Sequence, residues 1–446
     1  MRDLALGIDV GTSGVRAAAI DGDGRRVAFA AAPMPAPIEA NGSVTQDPAI
    51  WWHATRCALQ ALAQQIHLGR LAAISVDGTS GTVVAIDANG SPVAPARMYN
   101  SPSPGEIVCT IAAVAPPESP ACGASSALAR AIGLQSEPGA IRLIHQADWI
   151  SGQFSQRFDF TDENNALKTG YDAVAQRWPE WIARAGMRPD RLPAVVPAGT
   201  AMGTIGRRRA TELGLASDVI IVAGTTDGCA AVLAAGAEKC GEAVTSLGNT
   251  LVLKLLTDRP LFASKWGIYS HRFGAGWIAG GASNSGGAAI ARHFSLERIR
   301  ELSEKMTAGV PTGLDYYPLP SRGDRFPRHD PEMESRVSPR PDDDARFLQA
   351  LMEGVTRVEN LGYDRLMEIG GSMLTSIRTV GGGARNAAWR TIRERMLGVP
   401  LVDPLDEEAA VGAARLALRG VGSDNRPMGA AAANGGAASS PGIKTA

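Results

Sequence analysis

A single aspartate stands where an apolar stretch gives way to a run of small residues, in Ala223-Gly224-Thr225-Thr226-Asp227-Gly228. The residues before it read as a strand and those after it as a helix. The carboxylate therefore sits at a strand's C-terminal edge, beside the positive end of a helix that favours its ionised form. Clefts of α/β folds open on that side of a sheet. In such a cleft a carboxylate can take the proton from a hydroxyl that attacks a phosphorus atom, which makes Asp227 a candidate catalytic base. The same local pattern also suits an aspartate that only caps the helix.

Two further segments have the composition of phosphate and nucleoside cradles. Asp9-Val10-Gly11-Thr12-Ser13-Gly14 joins two apolar runs. A glycine turn there can aim backbone N–H groups at a phosphate, with the Thr12 and Ser13 hydroxyls as added donors. Asp9, at a strand end, can organise a magnesium ion through water. An ordinary polar hairpin would look the same. Gly381-Gly382-Gly383-Ala384-Arg385-Asn386 follows an apolar strand and opens a helix carrying Trp389, Ile392 and Met396 on one face. Glycines at a helix N-terminus let a ring or a phosphate approach the backbone, although a glycine-rich connection without a ligand remains open. Gly280 to Gly287 (GGASNSGG) is a second such element, expected to form the opposite wall of one cleft.

The elements that must position these groups follow from the apolar pattern. Residues 4–10, 15–20 and the stretch after the Asp21-Gly22-Asp23-Gly24 turn read as a three-stranded meander. A helix begins near Pro48, and residues 71–76 form another strand ending in a polar turn. Asn89-Gly90 marks a further hairpin. The second half repeats the theme, for TSLGNTLVLKLLTD echoes GIDVGTSGVRAAAID, so the chain reads as a duplication with a boundary near residue 224. From Gly422 onward periodicity is lost, and a disordered tail is expected.

With 446 residues the chain is long enough for two or three domains. Its 44 basic and 45 acidic residues give a net charge of −1, which supplies no electrostatic footprint for nucleic acid or an anionic membrane. The longest apolar stretch, Val219 to Gly236, is broken by Thr225-Thr226-Asp227-Gly228 and cannot span a bilayer. Five cysteines without C-x-x-C spacing, and no signal-peptide pattern at the N-terminus, favour a cytoplasmic protein.

The order of these pieces resembles the FGGY carbohydrate kinases, within the larger group that includes actin, hexokinase and the heat-shock chaperone ATPases. The likeness runs from about residue 4 to 420. It implies an α/β fold of two actin-like, ribonuclease H-like domains, at 1–224 and 225–420, with an inter-domain cleft, followed by a tail over 421–446. It also implies ATP and Mg2+ as cofactors, a small sugar as partner, and a monomer or homodimer. Asp9-x-Gly11-Thr12-Ser13 is similar to the family's first phosphate motif and Ser246 to Thr250, with Gly248 and Asn249, to its second. Gly281, Gly382, Gly383 and Asn386 are similar to its adenosine motif, and Glu408 to Ala414 to its terminal helix. Asp227 falls on the catalytic base.

Within the family, Asp162 to Asp172 (DENNALKTGYD) and Val76 to Thr82 (VDGTSGT) resemble a short subgroup that acts on D-ribulose. Xylulose kinases carry Gln-Met-His-Gly where this chain has Thr79-Ser80-Gly81-Thr82. Many relatives carry Trp-x-Asp-x-Arg where it reads Tyr99-Asn100-Ser101-Pro102-Ser103. The resemblance therefore points to D-ribulose, with Asp9, Ser80, Gly81, Asp227, Asn164 and Asn165 on the sugar. D-xylulose or another ketose or polyol is the nearest alternative. A catalytically weak sugar-binding regulator and a chaperone-like or cytoskeletal ATPase are alternatives of other classes.

Overall fold

The structure is a computed structural model that describes residues 2–123 and 126–422. Of the expected tail, Val421 and Gly422 end a helix, and 423–446 lie outside the described residues. Two six-stranded sheets carry the fold. The first takes β1 (Leu4–Val10), β2 (Gly14–Ile20), β3 (Arg26–Pro33), β4 (Leu71–Gly78), β5 (Ala201–Thr204) and β6 (Ile220–Thr226), in the order β5-β6-β4-β1-β2-β3. The second takes β7 (Glu242–Leu247), β8 (Leu251–Thr257), β9 (Tyr269–Phe273), β10 (Gly276–Ser283), β11 (Ser376–Val380) and β12 (Leu401–Val402), in the order β9-β10-β8-β7-β11-β12.

The duplication read from the sequence is visible in the ladders. In each sheet an antiparallel three-stranded meander continues through two parallel strands: β3-β2-β1-β4-β6 in one and β10-β8-β7-β11-β12 in the other. Each adds one further edge strand. In the first sheet β1 and β4, buried on both faces, are near-continuous apolar runs, as parallel strands covered on both sides tend to be. Separate cores lie under the two sheets, one around Trp51, Leu62 and Phe154, the other around Phe347, Tyr316 and Phe326.

The expected boundary near residue 224 cuts through β6, which completes the first sheet, so the passage between lobes comes later, after α2 (Asp227–Ala235). The terminal helix α5 (Ala409–Gly422), expected in the second domain, lies against β1, β4 and β6 of the first sheet and against α2. Small residues make this crossing possible. A Cβ on Gly7 would stand 1.8 Å from the Ala410 carbonyl oxygen, and one on Gly412 would stand 1.8 Å from that of Ala230. Ala410, Ala413, Ala414 and Ala417 complete the contact. The lobes meet again at a clasp in which Ala166, Leu167 and Tyr171 of the first pack on Trp277 of the second.

No helix among the described residues is long and apolar enough to cross a membrane. All five cysteines are free thiols.

The contact at Gly412 is backbone against backbone and cannot relax by a side-chain rotation. Gly412→Ala is expected to destabilise the protein by about 1–3 kcal/mol or more, read as a lowered midpoint in urea. Gly133→Ala, in a helix where a Cβ meets nothing within 4 Å, is the matched control and should be neutral or stabilising. Equal effects at the two positions would contradict the close-packed crossing.

Candidate active site

The C-terminal edge of the first sheet carries three aspartates in a row. Asp9 ends β1, Asp77 lies on β4, and Asp227 follows β6, on three neighbouring strands. The parallel register pairs Asp9 with Asp77 and Asp77 with Thr225. Side chains paired across adjacent strands share a face, so the Asp9 and Asp77 carboxyl groups meet. Asp77 is fully buried, and neither of its oxygens has a donor in the protein. Burial, and then the neighbouring Asp9 carboxylate, pushes its pKa far above the ordinary 3.8. Asp9 has a partner of its own in Arg16, whose Nη1 donates to Oδ2 at 2.9 Å.

Asp227 is the first residue of α2 rather than its cap; Thr226 holds the cap position and makes no side-chain capping bond. The carboxylate accepts the backbone N–H of Gly228 at 2.7 Å. Desolvation, followed by the charge of Asp9, raises its pKa to about 6, while Gly228 N–H, Lys168 and Lys254 pull the other way. A carboxylate poised there is ionised at neutral pH and still basic enough to accept a hydroxyl proton as the bond to phosphorus forms.

The β1–β2 turn is closed by the Gly11 N–H donating to the Gly14 carbonyl, and the Met34 N–H donates to Ser13 O. Among the described residues the hydroxyls of Thr12 and Ser13 find no hydrogen-bond partner, which leaves them open to a ligand. The corresponding turn of the second lobe, Gly248 and Asn249, is braced by its neighbours: Gly287 N–H donates to Gly248 O at 2.8 Å and Ala288 N–H to Asn249 O at 3.1 Å. The glycine run lies on this same turn. Gly381, at φ +91°, would place a Cβ 3.1 Å from the Leu247 carbonyl oxygen, and Gly383 would meet the Leu247 side chain at 2.6 Å, whereas Gly382 faces open space. Beside it a polar cleft of about 560 Å3 opens between the lobes, bordered by Gly383, Ala384, Arg385, Arg26 and residues 403–408.

Three of the residues expected at the ligand have roles within the protein. Gly281 is buried in β10, where a Cβ would stand 2.5 Å from the Phe326 ring and 2.9 Å from the Gly267 carbonyl; its lack of a side chain serves packing. Asn386 caps α4 (Ala387–Leu397) by accepting the Trp389 N–H at 2.9 Å, and it donates to Ser303 Oγ at 2.8 Å, so its amide is engaged within the protein. Asn164 spends both amide protons, on Thr225 Oγ1 at 3.0 Å and Arg272 O at 3.1 Å, and accepts the Arg272 N–H at 2.9 Å. It ties the first lobe to the second and orients the strand that ends at the base. Asn165 donates to Asp162 Oδ2 at 2.6 Å, while its buried Oδ1 has no partner.

Ser80 is partly exposed with its hydroxyl unengaged, in a loop pinned by Gln146, whose Oε1 accepts from Thr79 N at 3.0 Å and Thr79 Oγ1 at 2.7 Å. Gly81, at φ +99°, offers its carbonyl to Arg130 Nε at 3.0 Å. Sequence reading did not select Asp77, Gln146, Lys168 or Lys254. Asp77 and Lys168 stand inside segments already singled out, and a charged residue next to a glycine turn was the available signal. Nothing local marks Lys254.

Among the described residues no group of three or more His, Cys, Asp or Glu side chains is arranged to hold a metal ion. Mg2+ needs no such cage when substrate phosphates complete its shell. The Asp9–Asp77 pair fits that use: hard oxygens, two of them lacking any protein partner, beside the turn open to phosphate.

The N-terminal domain of the FGGY family of carbohydrate kinases matches residues 4–115, and its C-terminal domain matches residues 243–421. Together they span more than half of the chain, which belongs to that family. A xylulose kinase of Streptomyces coelicolor is 26% identical over 92% of this chain and 86% of its own length. An L-fuculokinase of Salmonella typhi is 26% identical over 96% of this chain and 94% of its own. Among solved structures, a xyloylose kinase from Brucella ovis superposes with a TM-score of 0.84 at 25% identity, over 94% of this chain and 91% of that one. The fold is the two-domain actin-like one of these kinases.

Asp77 generates an expectation of its own. Its folded pKa lies above the unfolded value of 3.8, so the folded state binds the extra proton. Its contribution is complete below that value and is lost as pH rises through the folded pKa. Asp77→Asn removes this loss. In EDTA and without nucleotide, the urea midpoint of the variant should exceed that of the parent by more at pH 8 than at pH 5. A gain independent of pH would show that the carboxyl is not crowded.

Proposed function

We propose that this carbohydrate kinase transfers the γ-phosphoryl group of ATP to the terminal hydroxyl of a ketopentose, with D-ribulose as acceptor and D-ribulose 5-phosphate and ADP as products. The observation that carries the reading is the position of Asp227: a partly buried carboxylate with pKa about 6, at the end of the first sheet beside Asp9 and Asp77 and within reach of the charges of Lys168 and Lys254. Asp227 accepts the hydroxyl proton. Thr12 and Ser13 on one side, and Gly248 and Asn249 on the other, hold phosphates through hydroxyl and backbone N–H groups. Gly382 leaves room for the nucleoside, and Gly383 lets the run close on Leu247. Bound Mg2+, organised by Asp9 with Asp77, would offset phosphate charge. Ser80 and Gly81 contact the sugar. Closure at the Trp277 clasp excludes water that would otherwise hydrolyse ATP.

D-ribulose is favoured over D-xylulose because Thr79-Ser80-Gly81-Thr82 offers the Ser80 hydroxyl and a left-handed glycine where xylulose kinases carry a histidine. The free thiols and balanced charge support a cytoplasmic enzyme. A non-catalytic sugar sensor would have no use for a raised carboxylate pKa at the phosphate turns.

Asp227→Ala should lower kcat by about 10²–10⁴-fold while nucleotide binding, followed by calorimetry, is retained. In the parent enzyme kcat/KM should rise with pH and reach half its plateau near pH 6, where the base loses its proton. Full activity in the variant would remove Asp227 from the chemistry. In an ADP-release assay, D-ribulose should give the highest kcat/KM among pentuloses, hexuloses, pentitols and glycerol. Equal turnover of D-xylulose would overturn the choice of sugar.

A further inference from the structure

Two ammonium groups border the site without a carboxylate bound to either. Lys254 rises from β8 and is only 7% exposed; its Nζ stands 3.5 Å from His271 Nδ1 and 5.2 Å from the centre of the Tyr269 ring. Lys168, from the other lobe, brings its Nζ to 5.9 Å from the same ring. Its stem runs past Gly81, 3.7 Å from where a Cβ on that glycine would lie. Neither lysine has an acidic partner within 4.0 Å among the described residues. The charges they influence belong to the site: Lys168 and then Lys254 both pull down the Tyr269 hydroxyl pKa, and both act on Asp227. His271, kept neutral by burial, has a buried Nε2 with no partner.

A buried ammonium left without an anion is costly, so its retention calls for a ligand atom to pair with it. The wall offers donors and almost no acceptors, since an ammonium has three N–H groups and no lone pair. A sugar hydroxyl bound there would still need an acceptor for its own proton. A carbonyl oxygen needs none. It also lies toward the opposite end of a ketose from the terminal hydroxyl that faces Asp227.

We propose that Lys168 and Lys254, one from each lobe, are the specificity-determining donors to the carbonyl oxygen of the acceptor, so that the site selects ketoses over polyols of the same length. This rests on the kinase reading above and adds which functional group of the sugar is read. Because the two donors come from different lobes, a bound ketose also bridges them at the clasp.

Calorimetric titration of the full chain with D-ribulose, ribitol and D-ribonate tests the proposal, alongside Lys168→Met and Lys254→Met. The parent should bind ribulose more tightly than ribitol. Each variant should weaken ribulose by about 10–100-fold and ribitol far less, so the preference collapses. Lys254→Met should also raise the thermal midpoint, because an unpaired buried charge is replaced by an apolar chain of similar length. A purely structural lysine would give the opposite pair of results. Lys168, which is less buried, keeps the test open if the Lys254 variant fails to fold. An unchanged ketose-to-polyol ratio in the variants overturns the proposal, and so does tighter binding of ribonate than of ribulose, which would assign the pair to a carboxylate. If the parent releases no ADP with ribulose, the sugar assignment fails separately, and D-xylulose with xylitol serves as the pair.

Discussion

Three carboxyl groups are forced together because they sit at or just beyond the ends of three adjacent parallel strands, with Asp9 paired to Asp77 and Asp77 to Thr225. Moving β4 by one residue against β1 would send Asp77 to the opposite face and exchange its closely packed side chains between the two covered faces of the sheet. The hydrophobic core thus holds the acids in a crowd they would not choose electrostatically. The crowding has a chemical result. One carboxyl, Asp77, is driven toward its protonated form, one is held by Arg16, and the third, Asp227, is left ionised but reluctant. A cation or an incoming hydroxyl proton relieves the strain, and both arrive with the substrates.

The duplicated architecture explains why the acids face a glycine wall from the other half of the chain. Each sheet ends in a helix that crosses to its counterpart, and the crossing is made at backbone contact through Gly7, Gly412, Ala230 and Ala410. Bulkier residues would push the lobes apart just where nucleotide phosphates must touch both. On the sugar side the connection is of another kind, with Asn164 bridging to Arg272 and the Ala166–Tyr171 segment packed on Trp277. A tight pivot at one end and a separable clasp at the other is an arrangement that lets lobes open without losing register at the phosphate turns.

Much of this was legible in the sequence because it is written locally. Strand, glycine turn, strand and a small-residue helix can be read within a window of a dozen residues, and their repetition revealed both lobes and the position of Asp227. The boundary was misplaced because a helix that leaves one sheet to pack on another carries no sign of its destination. Gly281 and Asn386 show a related ambiguity: a glycine that spares a Phe326 ring and an asparagine that caps a helix carry the same local pattern as residues that bind a ligand. Asp77 acquires meaning only from strand pairing, and Lys254 only from Tyr269, His271 and a lysine in the other lobe.

Catalysis as proposed requires that a base from the end of the first sheet meet the acceptor hydroxyl opposite the outermost phosphorus of a nucleotide held by turns from both lobes. A crystal structure with D-ribulose and a non-hydrolysable ATP analogue measures this directly. An Asp227 oxygen is expected within about 2.6–3.2 Å of the sugar's terminal oxygen, with that oxygen in line with the γ-phosphorus. A sugar bound with its terminal oxygen out of hydrogen-bond reach of Asp227, or a nucleotide that avoids the turns at Gly11 and Gly248, would contradict it.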